Sequence, residues 1–313
     1  MTTAKQPWTA EQIPSQEGRR VLITGANSGI GFETALELAR KGAEVVLPAR
    51  SQQKAEDAAA RIRARVPSPR VIPAILDLAS QQSVVDFAAW FAHRFPGPSL
   101  DLLISNAGVM AVPKRELTVD GFERQFATNF LGPFALTALL YRHVKQQHDS
   151  RIVIVSSSIT KWARIEFDNL QSERHYSPMG QAYAQSKLAD SIFALELHRR
   201  VTRAGSPVAV MSAHPGYAVT NLQTSGPGDG FSLFKLSTIV LRPLLSQDAA
   251  HGALPTLFAA VSPEAVPGGY YGPDGLLEAK GYPRAVKIPK RAMQDGERLW
   301  ETAERLTNTS FTV

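Results

Sequence analysis

The chain contains no cysteine among its 313 residues. A protein without thiols has no disulfide scaffold, no cysteine nucleophile and no thiolate metal site. No uninterrupted apolar run reaches the roughly 18 residues that a membrane span needs, and the N-terminal segment lacks the pattern of a secretory signal. The seven histidines also lack the spacing typical of metal ligands. We therefore expect a cytoplasmic protein with no membrane span and no metal.

The excess of positive charge is small and dispersed. The formal net charge is +6, from 34 Lys and Arg against 28 Asp and Glu. The densest basic group, Arg61, Arg63 and Arg65, recurs along a predicted helix, which favours a solvated surface over a nucleic-acid interface. An anionic phosphate ligand would also suit a basic protein.

Apolar runs of strand length alternate with helix-length segments along the chain. Continuous apolar strands between helices are typical of a parallel sheet covered on both faces. The sequence thus predicts an α/β fold with a doubly wound parallel sheet flanked by helices on both faces. The predicted strands are Arg19–Thr24, Glu44–Leu47, Val71–Leu76, Leu100–Ser105, Arg151–Ser156 and Val208–Ser212, and the predicted helices are Ile30–Lys41, Gln52–Val66, Gln81–Phe95, Val119–Gln147 and Gln181–Arg203.

No stretch of the chain has the composition of a linker, so we predict one domain over residues 1–313 with a core over 18–221. The Pro/Gly-rich stretch Pro267–Pro289 comes too late to separate domains and is expected to be irregular. It begins a C-terminal extension over 267–313. The last helix of that extension, about Arg291–Leu306, is amphipathic and is predicted to dock on the body of the protein.

A glycine-rich turn, Thr24–Gly31, lies between the first predicted strand and the first predicted helix. Glycines at such a turn let bare backbone approach a pyrophosphate, whose charge then sits at the helix N-terminus. The spacing is G-x-x-x-G-x-G rather than the general G-x-G-x-x-G. We predict a dinucleotide site here, formed by Gly25, Asn27, Ser28, Gly29, Ile30 and Gly31.

Arg50 lies 19 residues beyond Gly31, just after the second predicted strand. In dinucleotide folds this position meets the adenosine ribose, where an acid suits a free 2′-hydroxyl and an arginine a 2′-phosphate. The strand end carries no acid, so we predict that the chain prefers NADP(H), with NAD(H) still usable. An ordinary surface arginine is the alternative.

Two further strand ends carry candidate cofactor contacts. Asp77 and Leu78 follow the third predicted strand, at the edge where ligands bind in such sheets. The Asp77 carboxylate could accept from the adenine amino group, because Ser80 is the better N-cap for the next helix. After the fourth strand, small residues leave room for a ribose or nicotinamide, although they could simply form a turn: Asn106, Ala107 and Gly108.

Tyr183 and Lys187 lie four residues apart on a predicted helix and therefore share a face. A tyrosine with its usual pKa near 10 is a poor base at neutral pH, but a neighbouring ammonium favours the phenolate. A phenol tuned in this way can exchange a proton with an alcohol or a carbonyl. We therefore predict that this pair carries the chemistry.

Tyr141 and Lys145 show the same spacing, so spacing alone does not identify the reactive pair. Tyr183 follows a buried strand that ends in the hydroxyl run Ser156–Ser158, whereas Tyr141 precedes that strand on an ordinary helix. We interpret Tyr141 as structural.

As a set, these motifs resemble the short-chain dehydrogenases/reductases. They are T-G-x-x-x-G-x-G, the D-L pair, N-A-G, Asn129, the serine run, Y-x-x-x-K and His214-Pro215-Gly216 with Thr220, in the family's order over roughly Gly18 to Asn221. Within the family the chain is most similar to the retinol dehydrogenase-like branch. The glycine-rich turn, Phe167–Leu170, the Tyr183–Lys187 helix and Tyr271–Gly275 carry that likeness.

The resemblance implies a Rossmann-type sheet and a role for each matched residue. Tyr183 would be the general acid/base and one of the cofactor contacts, and Lys187 would lower its pKa and hold the nicotinamide ribose. Ser157 would hydrogen-bond the substrate oxygen, with Ser158 as a weaker alternative. Asn129 would fix the water that links Lys187 to a proton relay. The walls of the nicotinamide site would be Pro215, Gly216 and Thr220.

Two departures from the family pattern matter. Tyr183 follows Ser157 by 26 positions, about twice the common spacing in the family, so Trp162–Met179 should form an additional loop before the tyrosine helix. That helix often forms the family's dimer interface, which leaves both a monomer and a homodimer open. Membrane-bound retinol dehydrogenases also carry an N-terminal hydrophobic anchor, and this chain shows none, so retinoid activity is not carried over.

The segment Asn221–Leu245 occupies the place of the family's substrate lid. A flexible Gly226–Gly230 stretch leads into an apolar run, as expected of a closing lid over residues 222–245 that admits a lipophilic substrate. An apolar helix packed on the core or on another subunit is the alternative. Residues that would face the substrate pocket are Met110, Met179, Phe231, Leu233 and Phe234, whereas His214 is interpreted as structural.

The sequence therefore predicts an NADP(H)-preferring alcohol dehydrogenase or carbonyl reductase for a lipophilic small molecule. Two alternatives remain at this stage. One is a non-catalytic NADP-binding sensor or scaffold, since a fold does not fix a function. The other is an epimerase or dehydratase that recycles a tightly held cofactor.

Overall fold

The computed structural model describes residues 6–218 and 246–313. Their strands form one eight-stranded sheet. The strands are β1 (Arg20–Ile23), β2 (Glu44–Ala49), β3 (Arg70–Ile75), β4 (Leu102–Ser105), β5 (Arg151–Val155), β6 (Ala209–Ala213), β7 (Tyr270–Pro273) and β8 (Pro283–Ala285). Their order in the sheet is β3-β2-β1-β4-β5-β6-β7-β8. All neighbours pair in parallel except β7 and β8, which are antiparallel.

The sheet has helices on both faces because its central strands are apolar on both sides. Val21, Leu22 and Ile23 of β1 have no accessible surface. One face is covered by α1 (Gly29–Arg40), α2 (Gln52–Arg63) and α6 (Ala249–Val261), and the other by α3 (Gln81–Arg94), α4 (Gly132–Leu140), α5 (Ala184–Arg203) and α7 (Gly296–Thr307). The strands after β1 are added first on one side of it (β2 and β3) and then on the other (β4 and β5), so the strand order switches between β1 and β4. The carboxyl ends of these strands therefore border a crevice suited to a dinucleotide.

The predicted fold class, an α/β Rossmann-type sheet with helices on both faces, is confirmed. Each of the six predicted strands is present to within about two residues, a normal uncertainty at element ends. Ser80 begins α3 as predicted, with its hydroxyl accepting the backbone N–H of Ser83. Pro48, which lies near the end of the second predicted strand, does not shorten β2, because β2 continues through Ala49.

The prediction that Pro267–Pro289 is irregular is wrong. This stretch contains β7, which pairs in parallel with β6, and β8, which extends the sheet by one antiparallel strand. Both strands are short, and each contains a proline. Their pairing depends on the edge offered by β6, which the local sequence does not reveal.

The single helix predicted over Val119–Gln147 is also wrong. Regular structure begins at Arg124, after Glu123 has capped it by accepting the backbone N–H groups of Gln125 and Phe126. A π-helical turn over Ala127–Leu131 follows, and α4 then ends at Leu140. Beyond it a short 3-10 turn leads to an extended residue, Val144, that pairs with Leu100.

The last helix docks on the body through aromatic side chains. It begins at Gly296, five residues later than predicted, after a separate 3-10 turn over Lys290–Met293. The ring of Trp300 lies 5.2 Å from that of Phe134 on α4, and Phe311 stacks on Trp300 at 4.7 Å. The C-terminal residues therefore close the core beneath α4 and α5.

Several predicted features lie outside the described residues, namely Thr220 and the lid over 222–245 with Phe231, Leu233 and Phe234. Among the helices of 6–218 and 246–313, none combines the length and apolar character needed to cross a bilayer.

Candidate active site

The glycine-rich turn after β1 and the turn after β4 are joined by hydrogen bonds. The Thr24 hydroxyl accepts the backbone N–H groups of Asn106 and Ala107 at 3.1 and 3.0 Å. In return, the Asn106 amide donates to the Thr24 carbonyl at 2.9 Å. Two predicted cofactor segments therefore form one rigid edge of the crevice.

Two glycines of this edge are required by close packing. Gly25 has φ +69°, and a Cβ there would lie 2.8 Å from the Cα of Ala107. A Cβ on Gly31 would lie 2.3 Å from Nδ2 of Asn106. Only residues without a side chain let the two turns meet.

The N-terminus of α1 fits a pyrophosphate. α1 begins at Gly29 with Ser28 as its N-cap residue, and the Ser28 side chain does not cap the helix. The first N–H groups of a helix have no partner within the helix, and an anion can accept from them. The predicted contacts Asn27 and Ile30 flank this point, so the residues present fit a dinucleotide phosphate.

Arg50 and Arg61 are two basic residues of the segment that follows α1. Arg50 is exposed directly after β2. Arg61 is exposed, as predicted for a solvated surface residue, and in addition its guanidinium lies 4.2 Å from the ring of Phe32 and donates to the Asn27 carbonyl. Sequence reasoning missed this contact, because Arg61 reaches the turn from α2 across 34 residues of chain.

Asp77 and Leu78 lie where the third strand ends. The Asp77 carboxylate accepts the backbone N–H of Ala79 at 3.0 Å. The Leu78 carbonyl approaches α4 so closely that a Cβ on Gly132 would lie 2.2 Å from its oxygen. This contact fixes the start of α4, and with it the Asn129 turn, against the cofactor crevice.

The three serines after β5 have different surroundings. Ser156 is buried, and its hydroxyl bonds the Lys187 carbonyl and the Ser191 hydroxyl, both at 2.8 Å. Ser157 is half-buried and precedes a 3-10 turn over Ser158–Lys161; among the described residues its hydroxyl makes one long contact, accepting the backbone N–H of Ile159 at 3.4 Å. Its hydroxyl is therefore better placed than that of Ser156 to bond another molecule.

Tyr183 and Lys187 lie on consecutive helical segments with no break between them. Tyr183 ends a π-helical turn over Pro178–Tyr183, and Lys187 lies in the first turn of α5. The Lys187 ammonium donates to the Val155 carbonyl and to the Asp190 carboxylate, both at 2.9 Å. Burial disfavours the charge of Lys187, but the negative charges of Asp190 and of an ionised Tyr183 outweigh it, so the pKa of Lys187 is raised.

Asn129 lies in the other π-helical turn and uses its side chain to join three elements. Its Oδ1 accepts the backbone N–H of Val109 at 2.7 Å, and its Nδ2 donates to the Ser186 hydroxyl at 2.9 Å. A Cβ on Gly108 would lie 3.2 Å from Asn129 Oδ1 and 3.5 Å from Lys187 Nζ. Gly108, Asn129 and Lys187 are therefore immediate neighbours, and π-helical turns are frequent at functional sites.

The turn at Pro215 and Gly216 is held by the C-terminal extension. His214 has no exposed surface; its Nδ1 accepts the backbone N–H of Gly216 at 3.2 Å, so the ring proton lies on Nε2, 3.1 Å from Glu278. Glu278 also pairs with Lys161 at 2.8 Å. Through these contacts one carboxylate links the predicted nicotinamide wall to the serine turn.

Glu278 is a site residue that sequence reasoning missed. Leu277 and Glu278 both adopt left-handed backbone conformations, with φ of 55° and 56°, which non-glycine residues rarely do. The hydrogen bond from His214, followed by that from Lys161, holds the pKa of Glu278 down to about 2. Burial lowers the pKa of His214, and the Glu278 carboxylate opposes that effect.

The second tyrosine–lysine pair does not form a site. The Tyr141 hydroxyl donates to Ser206 at 3.0 Å, while Lys145 lies beyond the helix and pairs with Asp101 at 2.9 Å. The additional segment before Tyr183 is a loop, as predicted. Tyr176 anchors it by donating its hydroxyl proton to the Val112 carbonyl at 2.6 Å. Of the two predicted pocket methionines, Met110 is half-buried and Met179 is exposed.

Comparison with known proteins identifies the family. Residues 19–227 match the profile of the short chain dehydrogenases. Human retinol dehydrogenase 13 is 40% identical over 296 residues, which span 92% of this chain and 84% of the human protein. Mouse polyprenol dehydrogenase is 37% identical over 293 residues, or 92% of this chain and 85% of that protein.

Solved structures give the same assignment. An uncharacterised protein from Mycobacterium paratuberculosis has a TM-score of 0.78 and 40% identity; the match covers 98% of this chain and 100% of the mycobacterial chain. A short chain dehydrogenase from Burkholderia cenocepacia, solved in complex with NADP, has a TM-score of 0.59 and 25% identity, covering 79% of this chain and 91% of its own.

The chain belongs to the short-chain dehydrogenases/reductases, an oxidoreductase family that acts on CH–OH donors with a nicotinamide cofactor. Within that family it belongs to the retinol dehydrogenase-like branch. It is therefore an enzyme, which speaks against the sensor or scaffold alternative.

Proposed function

We propose that this enzyme interconverts a lipophilic ketone or aldehyde and its alcohol, that it prefers NADP(H), and that Tyr183 is its general acid/base. The observation that carries the proposal is the cluster formed by Tyr183, Lys187, Asn129 and Gly108 at the carboxyl edge of the sheet. A buried ammonium beside a phenol supports proton exchange at that phenol.

In carbonyl reduction, Tyr183 would donate its hydroxyl proton to the substrate oxygen. Ser157, whose hydroxyl is only weakly engaged, would hydrogen-bond the same oxygen and orient the carbonyl. Lys187 would stabilise the phenolate that remains after the proton has left. In alcohol oxidation the same groups work in reverse, with the phenolate as the base.

Asn129 would act through its main chain. Its side chain already forms hydrogen bonds with Val109 and Ser186. A relay water linked to Lys187 would therefore bind to a backbone group of the π-helical turn. The side-chain contacts would then hold that backbone in place.

The cofactor would be held by the glycine-rich turn, Asp77, the Asn106–Gly108 turn, Lys187 and the Pro215–Gly216 turn. When bound, its nicotinamide supplies or accepts the hydride. Arg50, exposed after β2, would contact the 2′-phosphate of NADP(H). Arg61 would stiffen the Asn27 turn beside it.

Apolar side chains around the serine turn support a lipophilic substrate. Trp162, directly after that turn, is 77% exposed, and Leu276 and Leu277 beside Glu278 are each 76% exposed. The ion pair between Lys161 and Glu278 holds these two segments together. The names of the relatives, retinol and polyprenol dehydrogenases, point to long apolar alcohols as the substrates of those proteins.

A carbonyl panel tests the proposal. We would follow NADPH and NADH consumption with matched short-chain, aromatic and isoprenoid aldehydes and ketones. Faster turnover of the apolar members with NADPH is the expected result. Measurable cofactor binding without turnover of any member would refute the proposed reaction and would favour a cofactor-recycling enzyme.

Arg50→Ala tests the cofactor preference. We expect the Kd for NADPH to rise by about tenfold to a hundredfold, because a charge-assisted contact to phosphate contributes roughly 1.5–3 kcal/mol. The Kd for NADH should stay nearly constant, since NADH has no 2′-phosphate. Arg63→Ala on α2 is a control that removes a nearby basic residue of a different surface. Equal weakening of both cofactors by Arg50→Ala would contradict the assignment.

Glu278→Gln tests the contact between the C-terminal extension and the Gly216 turn. The pKa of Glu278 is lowered by folding, so its stabilising effect is complete above the ordinary value of about 4.5 and is lost as pH falls towards about 2. We expect the wild type to be more stable than the variant near neutral pH by on the order of 1–2 kcal/mol. This advantage should be smaller at pH 3, which lies between the folded and ordinary pKa values of Glu278, when urea midpoints are compared. An advantage independent of pH would show that shape rather than charge carries the effect.

A further inference from the structure

Asp190 is a buried carboxylate that the proposed mechanism does not use. It lies on α5 one turn beyond Lys187, and its side chain is 2% exposed. Oδ2 accepts a hydrogen bond from the Lys187 ammonium at 2.9 Å. Oδ1 is buried and has no hydrogen-bond partner among the described residues. A half-satisfied carboxylate in the interior is costly, so its presence beside Lys187 requires a reason.

The surroundings of this carboxylate give it one strong electrostatic partner. Burial raises the pKa of Asp190 to about 7, and Lys187 opposes that rise. In the described parts of the chain, the titratable groups acting on the cluster are Lys187 from α5, Tyr183 from the π-helical turn before it and Tyr270 from β7. β5 contributes an uncharged acceptor, the Val155 carbonyl.

One ammonium therefore faces two acidic groups. A cation favours the ionised form of a phenol beside it. The charge of Lys187 interacts with both Tyr183 and Asp190, and it is partly neutralised by the Asp190 carboxylate at 2.9 Å. Water is nearly absent at these side chains, which are 6% and 2% exposed, so the charges act on each other with little screening. A negative Asp190 must then make the Tyr183 phenolate less favourable than Lys187 alone would make it.

We propose that Asp190 sets the pH range in which Tyr183 exchanges its proton, because the ionised Asp190 carboxylate keeps the phenol protonated to higher pH and so favours carbonyl reduction. Asp190 is a positioning residue in this proposal, because it acts through Lys187 and does not touch substrate. The proposal rests on the proposed role of Tyr183 as the acid/base.

Asp190→Asn removes the charge and keeps the shape, and its amide oxygen can still accept from Lys187. We expect the pH midpoints for alcohol oxidation and carbonyl reduction to move down together by about one unit. A neighbouring opposite charge shifts a pKa by about one to three units, and the effect of Asp190 should lie at the lower end because it acts on Tyr183 through Lys187. Oxidation near neutral pH should become faster, and reduction should decline at a lower pH than in the wild type.

A second readout does not depend on turnover. Ultraviolet difference titration of the tyrosinate, with the Tyr183→Phe protein subtracted in each background, measures the ionisation of Tyr183 directly. The phenolate should form at lower pH in the Asp190→Asn protein. Asp190→Ser serves as a second uncharged variant if Asp190→Asn does not fold.

Glu196→Gln is the matched control on the same helix. Glu196 pairs with Arg199 and Arg200, away from Lys187, so its removal should leave the Tyr183 midpoint unchanged. An unchanged or higher midpoint in the folded Asp190 variants overturns the proposal about Asp190. Normal turnover in the Tyr183→Phe protein would instead overturn the proposed function, so the two failures are distinguishable.

Discussion

Replacing Tyr183 by phenylalanine is expected to lower turnover by about a thousandfold or more, since a positioned acid/base contributes on the order of 10²–10⁴ and its loss also leaves Lys187 without a phenolate to stabilise. The phenyl ring keeps the buried volume of Tyr183, which is only 7% exposed, so the fold should be retained. Cofactor affinity should stay within about twofold of its original value, because the Tyr183 hydroxyl is not part of the phosphate cradle, the glycine-rich turn and the N-terminus of α1 that would bind the cofactor phosphates. Steady-state kinetics and cofactor titration on the same preparation would check both expectations.

The chain contains its own control for this experiment. Tyr141 has the same four-residue spacing to a lysine, but its hydroxyl donates to Ser206 instead of facing the crevice. Tyr141→Phe should leave turnover unchanged and cost about 1 kcal/mol of unfolding free energy, the usual contribution of one hydrogen bond. Comparable losses of activity in the two variants would show that the Tyr183 effect is not a matter of proton transfer.

The nucleotide-binding half was predictable from sequence because each of its motifs directly follows a strand. The glycine-rich turn, Asn106–Gly108 and the serine run occupy consecutive strand ends, and parallel strands bring their carboxyl ends to one edge. Once the alternation of strands and helices is predicted correctly, these three motifs are expected at the same edge of the sheet, whatever the exact structure of the segments that connect them.

The contacts that sequence reasoning missed join residues far apart in the chain. Arg61 reaches the Asn27 carbonyl from another helix, and Glu278 reaches His214 across 64 residues. The Glu278 contact also requires left-handed backbone at Leu277 and Glu278, which no residue preference indicates. Asp190 was missed for a different reason. Its spacing to Lys187 is visible in the sequence, but a carboxylate three residues from a lysine usually lies on a solvated helix face, and only the depth of burial gives it significance.

The last prediction concerns Gly31, where two physical effects oppose each other. Gly31 lies inside α1 with ordinary helical backbone, and alanine is normally more favourable than glycine in a helix by about 1 kcal/mol. A methyl group at Gly31, however, would lie 2.3 Å from Asn106 Nδ2 and 2.6 Å from the Gly25 carbonyl oxygen. Overpacking of this kind costs about 1–3 kcal/mol, and here the Gly25 backbone cannot rotate away as a flexible side chain would.

We therefore expect Gly31→Ala to be destabilised by roughly 1–2 kcal/mol despite its better helix propensity, and to bind cofactor at least about a hundredfold more weakly. The loss of affinity should exceed the loss of stability, because relief of the clash must separate the Gly25 turn from Asn106 and so widen the phosphate cradle. Urea unfolding and cofactor titration measure the two quantities separately. Glu33→Ala on the same helix provides the comparison, since it adds helix propensity without a methyl group at the turn. A Gly31→Ala protein that is more stable than the wild type and binds cofactor normally would mean that the β1 and β4 turns need not meet for the cofactor to bind.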